Sequence, residues 1–560
     1  MRPFAVALSF ASLASLMPTA ASAAPPPAVS PASSTHGQLT ALFAEWRAFN
    51  HPAMTKSVPD YSAPAMTAKA AGLAAFKQRL AGIDQSEWTA SQRGDTRLVE
   101  AEMNGLDFFL RVLKPWARDP GFYQTVFAER SDVPAHEGPS AEPNVDLWKL
   151  SWPLSASDDR ALAASLRAVP ATLAQAKVNL ADSQAHDLWA YGDRAFNEQA
   201  DALAALQKGD LSLNDLNGRR KVSLAGASPA LKTAVEQARM ASADFANWVK
   251  AEAPRRTGPS GVGKDNYNWY LKNVLLSRYD FDQQTVLLQR ELDRSLASLR
   301  LEEVRNRAAP AIAGLSDPAA YRKNALARQE RLYTLLVDAG FITDRPYFRS
   351  GLFGQLGDYT APADRNFFTH VTALDPLPLS SHQFHWIELA RLQHEPHPSA
   401  MRDTPPLFNI YEDRSEGLAT AMEEILMQAG LYDDEPHGRE LVWAMLANRA
   451  ARGLASLRVQ NNEIGLAEAG KFHAGWTPRG WSDANSRLVG FEQLLYLRQP
   501  GYGPSYIIGK LEFDHLLALA SHRAETEQRP YSSRDTFAAI WASGIVPPTI
   551  IADEFLEPAH

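Results

Sequence analysis

The chain has 560 residues, 45% of them hydrophobic and 21% charged, with a formal net charge of −8 and no cysteine. This is the composition of a globular protein too long for one small core. The acidic balance argues against a nucleic-acid binder, which ordinarily presents a basic face. The lack of cysteine excludes disulfides, thiolate metal sites, a cysteine nucleophile and a lipidated N-terminal cysteine.

In chain order, residues 1–23 read as a signal peptide. Arg2 supplies the positive start, Phe4 to Met17 the apolar stretch, and Ala21-Ser22-Ala23 the small-residue cleavage site. The competing reading is a short membrane anchor, but the apolar stretch is too short to span a bilayer comfortably. No later apolar run is long enough to cross a membrane. The expected location is therefore periplasmic or secreted, with no membrane anchor after cleavage. Residues 24–36 (APPPAVSPASSTH) form a Pro/Ser/Ala linker with the composition of a disordered segment.

Helical periodicity dominates from Gly37 onward. Leu39, Leu42, Phe43 and Trp46 follow the i, i+3, i+4, i+7 spacing of an amphipathic helix. Similar stripes predict helices over about 65–83, 86–114, 157–180, 184–206, 227–251, 280–307 and 317–339. Strand-like alternation is scarce; Phe122 to Phe127 and Arg345 to Phe353 read as short strands or loops. Residues 341–379 read as an irregular, aromatic-rich loop. Gly258 to Lys264 (GPSGVGK) matches the spacing of a phosphate-binding loop. It lacks the preceding strand, and Asp265 stands where a Ser or Thr would hold magnesium, so it reads as a Gly-rich turn.

The densest cluster of chemistry-bearing side chains spans Ser380 to Glu424. Ser380 with Gln383 three residues on suggests a capping box opening a helix. His382, His385 and Leu389 then share one face of that helix, with Glu388 beside it. Two histidines at i and i+3 can chelate one divalent ion when a carboxylate from another helix closes the site. Glu416, on the following helix, is the candidate carboxylate. Buried, hydrogen-bonded core histidines are the alternative. His394-Glu395-Pro396-His397 fails as a zinc motif, because Pro398 occupies the position of the second histidine and Pro396 breaks the helix.

The segment from Glu412 onward resembles a bacterial family of unassigned function, domain of unknown function 885. The residues carrying the resemblance are Ser415-Glu416-Gly417-Leu418-Ala419, Ala429 to Asp434, Arg449-Ala-Ala-Arg452, Phe472 to Thr477, and Arg498 to Gly509. A weaker likeness covers Asn266 to Arg307. The resemblance implies a helical fold related to zincin metallopeptidases. It also implies a metal motif His-Glu-x-x-Pro-Gly-His-His-Leu-Gln, with a third ligand matched by Glu416. This chain departs from that motif. His385 falls on the first of the paired histidines, while Leu379 and Ser380 stand where the first ligand and the general base belong. His382 is then the replacement ligand and Glu388 the replacement base, with Glu424 a further base. His473 and Tyr506 are expected to donate to a tetrahedral oxyanion, and Arg452 and Arg498 to pair with a substrate carboxylate.

The expected fold is mainly α: a large multi-helix fold with a deep central cleft and helical zincin-like architecture. An N-terminal helical part covers 37–310, and a C-terminal part at 311–560 carries the site. The expected function is an exported hydrolase of peptides or related amides, using one zinc ion held by His382, His385 and Glu416. The alternative is a non-catalytic protein on the same fold that binds a peptide or small molecule without an ion.

Overall fold

The computed structural model describes residues 35–55, 57–131 and 143–556. The signal peptide at 1–23 and residues 24–34 of the linker lie outside those residues; Thr35 and His36 already belong to the first helix. Among the described residues no helix is long and apolar enough to cross a membrane.

Helices form where the periodicity places them. α1 (Thr35–Asn50) buries Leu39, Leu42, Phe43 and Trp46, the whole of its predicted stripe. α2 (Ala63–Ala81) follows, then α3 (Ala90–Phe108). A capping box opens α3: Thr89 and Gln92 exchange side-chain and backbone hydrogen bonds. α4 (Ala156–Asn179) and α5 (Arg194–Lys208) each pack on α6 (Pro229–Glu252). α7 (Lys264–Asn273), α8 (Phe281–Asn306) and α9 (Pro318–Asp338) come next.

Three details differ from the sequence expectation. Between α5 and α6 the chain makes an antiparallel hairpin, β1 (Leu211–Asp215) with β2 (Gly218–Val222). Its signature is the alternating burial of β1 and a two-residue turn followed by Gly218 in left-handed backbone, φ 87°. The segment 341–379 is not an irregular loop, and Arg345 to Phe353 is not a strand. Helices form at Pro346–Gly354 and Phe367–Leu374. The first has Pro in its opening turn, where a missing N–H costs nothing. The second is opened by an Asn366–Thr369 capping box. In the Phe122 to Phe127 stretch, only Val126–Phe127 is a strand, paired in parallel with Val145–Asp146.

The C-terminal half contributes α10 (Leu377–His382), α11 (Phe384–His394), α12 (Glu412–Gln428), α13 (His437–Gln460), α14 (Leu466–Trp476), α15 (Arg487–Arg498), α16 (Tyr502–Thr526) and α17 (Ser533–Ala542). α12 and α13 are buried on nearly every side, which marks them as the centre of the fold. α12 runs against α16, and α13 packs on both α8 and α16. The α12–α16 crossing depends on two glycines. A Cβ on Gly417 would lie 2.4 Å from the Gly509 Cα, and one on Gly509 would lie 2.1 Å from the Asp413 carbonyl oxygen.

One hydrophobic cluster extends from Leu39 to Ala552 and takes residues from both sides of position 310. The N-terminal and C-terminal parts therefore share a core. The Gly-rich turn at 258–264 shows the same union. Gly261 sits so close to the end of α13 that a Cβ would come within 2.4 Å of the Val459 carbonyl oxygen. Lys264, the lysine of the phosphate-loop spacing, is paired with Asp282 at 2.6 Å.

Candidate metal centre

The predicted histidine helix is two helices. α10 ends at His382, Gln383 leaves helical geometry at ψ 13°, and α11 starts at Phe384. Ser380 is not the cap: it is buried inside α10, whose start is Pro376. The break at Gln383 places His382 in the last turn of one helix and His385 in the first turn of the next. Their rings meet edge to face, 5.1 Å between centroids.

Both imidazoles turn the same nitrogen to the same oxygen. His382 Nε2 lies 3.3 Å and His385 Nε2 3.2 Å from Glu416 Oε2. The ligand atoms of His382, His385 and Glu416 all lie within 4.8 Å of one another. Donors about 2.1 Å from one tetrahedral ion are roughly 3.4 Å apart, so the two histidine–Glu416 distances fit a zinc-class cation. The histidines are held by α10 and α11, and the carboxylate by the first turns of α12.

The surrounding residues fix the orientation of the three donors. Tyr502 on α16 donates its hydroxyl to Glu416 Oε1 at 2.6 Å, leaving Oε2 for the histidines. His382 Nδ1 sits 3.0 Å from Glu423 Oε1, a contact distance without hydrogen-bond geometry; a carboxylate at this position is the group that can orient a ligating histidine. Glu423 is clamped in turn by Arg449 on α13, with Nη2 2.6 Å from Oε1 and Nη1 donating to Oε2 at 3.0 Å. Burial would raise the Glu416 carboxyl, but His385 and His382 hold it well below its ordinary range.

A second layer lies beyond. Tyr506 stacks on His382 at 6.0 Å and lies 4.0 Å from the Arg452 guanidinium. Arg452 pairs with Glu492 of α15. Burial, the Glu416 carboxylate and Tyr496 push the Tyr506 phenol well above its ordinary value, so it stays an O–H donor. Counting this shell, three carboxylates (Glu416, Glu423, Glu492) face two guanidiniums (Arg449, Arg452).

Not every predicted residue reaches this centre. Glu388 is one turn beyond His385, but Arg414 Nη1 takes its carboxylate at 2.6 Å. Glu424 is occupied by Arg294 and by Lys510, the latter at 2.9 Å. Arg498 is held by Asp119, at 2.7 and 3.2 Å. His473 is buried behind the Arg452–Glu492 pair, its Nδ1 3.9 Å from Glu492. Its Nε2 accepts from Asn448 at 2.8 Å. Burial and Arg452 lower its pKa to about 3. His473 is thus a neutral brace between α13 and α14. Four members of the shell, Tyr502, Glu423, Arg449 and Glu492, were not singled out as site residues. Glu423 had a readable signal: it lies seven residues after Glu416, two turns along the same face of a helix.

Two solved structures share the fold. One is from Shewanella oneidensis, described as "a putative lipoprotein of unknown function". It superposes with a TM-score of 0.63 at 13% identity, covering 94% of this chain and 100% of its own. The other, described as a "putative lipoprotein" from Colwellia psychrerythraea, also gives 0.63, at 12% identity, covering 93% and 99%. At these identities the likeness establishes the fold alone. No curated protein matches the sequence. The family profile described as "Bacterial protein of unknown function (DUF885)" matches residues 48–335, just over half of the chain. The match lies on α2 to α9 and covers the weaker likeness at Asn266 to Arg307, but not the segment from Glu412 onward where the main motif resemblance was placed. By that match, the chain belongs to the DUF885 family of bacterial proteins of unknown function.

Proposed function

We propose that this protein is an exported, metal-dependent hydrolase of peptides or related amides, with a metal motif spelled differently from the zincin pattern. The observation that carries the reading is the convergence of His382 Nε2 and His385 Nε2 on Glu416 Oε2, at 3.3 and 3.2 Å, with all three ligand atoms within 4.8 Å of one another. A zinc ion there would supply Lewis acidity to a water and to an amide carbonyl. The chain's own residues divide the remaining work. Tyr502 fixes Glu416. Glu423 and Arg449 fix His382. Tyr506 keeps its proton beside His382, placed to donate to an oxyanion. An extracytoplasmic location is supported by the signal-like leader and by the descriptions of the two structural neighbours.

One observation favours a second reading, a peptide-binding protein without catalysis. Glu388 and Glu424, the two carboxylates expected to accept the proton of the attacking water, are both held by cations. Elemental analysis separates the readings. The hydrolase reading expects about one zinc per chain, lost in Glu416→Ala, and new termini by mass spectrometry when zinc-loaded protein meets a peptide mixture. A protein that takes up no metal on dialysis against zinc sinks the metal reading. No zinc, with a melting temperature raised by peptide and no cleavage, leaves the binding protein.

A further inference from the structure

Glu388 opens a second question. One turn beyond His385, α11 lines a cavity of about 710 Å³ that none of the three metal-site residues touches. Its other walls come from the start of α3, the 395–402 segment, Arg414 on α12 and the end of α17. The volume is that of a small-molecule pocket.

The charges on its wall come in opposed pairs. Glu388 and Arg414 are buried at 3% and 1% exposure and meet at 2.6 Å. Arg391 and Glu395 meet at 3.0 Å and are more open. Arg402 and Asp95 meet at 2.6 Å. The last pair is saturated: Arg402 also donates to the Ser91 and Ser543 carbonyls, and Asp95 accepts from Ser399. The first pair is not. Arg414 Nε has no hydrogen-bond partner, and Arg414 Nη1 and Glu388 Oε1 have only each other. A guanidinium offers five donors and a carboxylate about four acceptor sites. A buried ion pair with so much unspent capacity is costly unless further hydrogen bonds complete it. Trp541 lies between the two guanidiniums, 5.0 Å from Arg391 and 5.5 Å from Arg414, and Leu392, Pro396, Pro398 and Ile545 complete an apolar wall.

Each class of ligand can be weighed against this wall. A simple anion would meet Glu388 and Glu395, and a simple cation would meet Arg391 and Arg414. A molecule carrying both charges suits both pairs at once. The geometry points to a second ligand site that binds a short zwitterionic peptide with apolar side chains, its carboxylate toward Arg414 and Arg391 and its ammonium toward Glu388 and Glu395. The site does not rest on the metal centre, and Glu388 serves it as a recognition group.

The test uses calorimetric titration of the full chain carrying Glu416→Gln, so that the metal centre is disabled and the probe stays intact. Leucyl-leucine is expected to bind at one site per chain. Its N-acetyl, C-amide form, with the same side chains and no charges, is expected to bind roughly 100–10,000-fold more weakly, the loss of a charge-assisted hydrogen bond at each end. Leu392→Trp, which fills the cavity from a half-buried position, should abolish binding while a melting curve reports a folded protein. Arg391→Met keeps the packing and should weaken binding at least tenfold. Equal binding of the capped peptide, no binding of either peptide, or binding unchanged by both variants overturns the assignment. None of these outcomes depends on whether the protein binds zinc.

Discussion

At the scale of single residues, the centre depends on groups that touch no ion. Glu423 sits between His382 Nδ1 and Arg449. Glu423→Gln keeps the shape but weakens the hold on the imidazole. Zinc affinity, read by chelator competition, is expected to fall about 10–100-fold; an unchanged affinity would remove Glu423 from the site. Protonation is a separate matter. Burial and the Glu512 carboxylate raise Asp413 to about 8. The groups around it are Glu512, its partner Arg278 at 2.8 Å, and the buried Tyr267 phenol. The folded chain holds a proton that the unfolded chain releases above its ordinary 3.8. That stabilisation is complete at low pH and is lost as pH rises through about 8. His473 acts in the opposite sense: neutral in the fold, it lowers stability as pH falls from 6.5 toward 3. Between pH 6.5 and 8, Asp413 therefore acts without the opposing slope of His473. Wild-type stability should decline across that window, and Asp413→Asn should flatten the decline in a denaturant titration.

At the scale of elements, the α12–α16 crossing sets where Glu416 and Tyr502 meet. Gly417 follows Glu416 directly, and its missing Cβ lets α16 approach. Gly417→Ala forces backbone against backbone, where no side chain can rotate away. It should cost about 1–3 kcal/mol or more in stability, and it should weaken zinc binding by displacing Tyr502 from Glu416. Gly475→Ala is the control. Nothing lies within 4 Å of a Cβ there, so the change should be neutral or should stabilise α14 by up to about 1 kcal/mol. A Gly417→Ala protein as stable as wild type would show that the crossing is looser than the contacts indicate. The break at Gln383 is equally local. It turns one predicted amphipathic helix into two short ones, and so lets histidines three apart point at one oxygen.

For the whole molecule, the shared core has a thermodynamic consequence. A cluster reaching from Leu39 to Ala552 without interruption at 310 should unfold as one cooperative unit. Calorimetry should show one transition; two resolved transitions would divide the chain into separate domains. The metal centre joins α10 and α11 to α12, and Tyr502 links α16 to it. An ion bound only by the native state should therefore raise the melting temperature of the entire protein. Free zinc at a hundred times the dissociation constant contributes about 2.7 kcal/mol. A chelator should reverse the shift, and Glu416→Ala should show none.

The sequence by itself determined the helical class, because periodicity is local and the stripes of α1 to α9 need only their own residues to be seen. It also nominated three donors, two histidines three apart and a carboxylate further on, all in one short stretch; their convergence was decided by the break at Gln383 and the packing of α12. The family was legible too, although the profile match falls on α2 to α9, where only the weaker likeness at Asn266 to Arg307 was read, and the main motif resemblance falls on the other half. What only tertiary structure decided was where each long side chain finds its partner. Glu388, Glu424 and Arg498 read as site residues because they carry the right chemistry near the right motif. Each is neutralised instead by a charge brought from elsewhere in the fold: Arg414, Lys510 with Arg294, and Asp119. Tyr502 and Arg449 stood in the family motifs but were not read as site residues, for the converse reason. Their roles depend on α13 and α16 crossing α12, and a pairing between helices far apart in sequence leaves no periodic trace in either one.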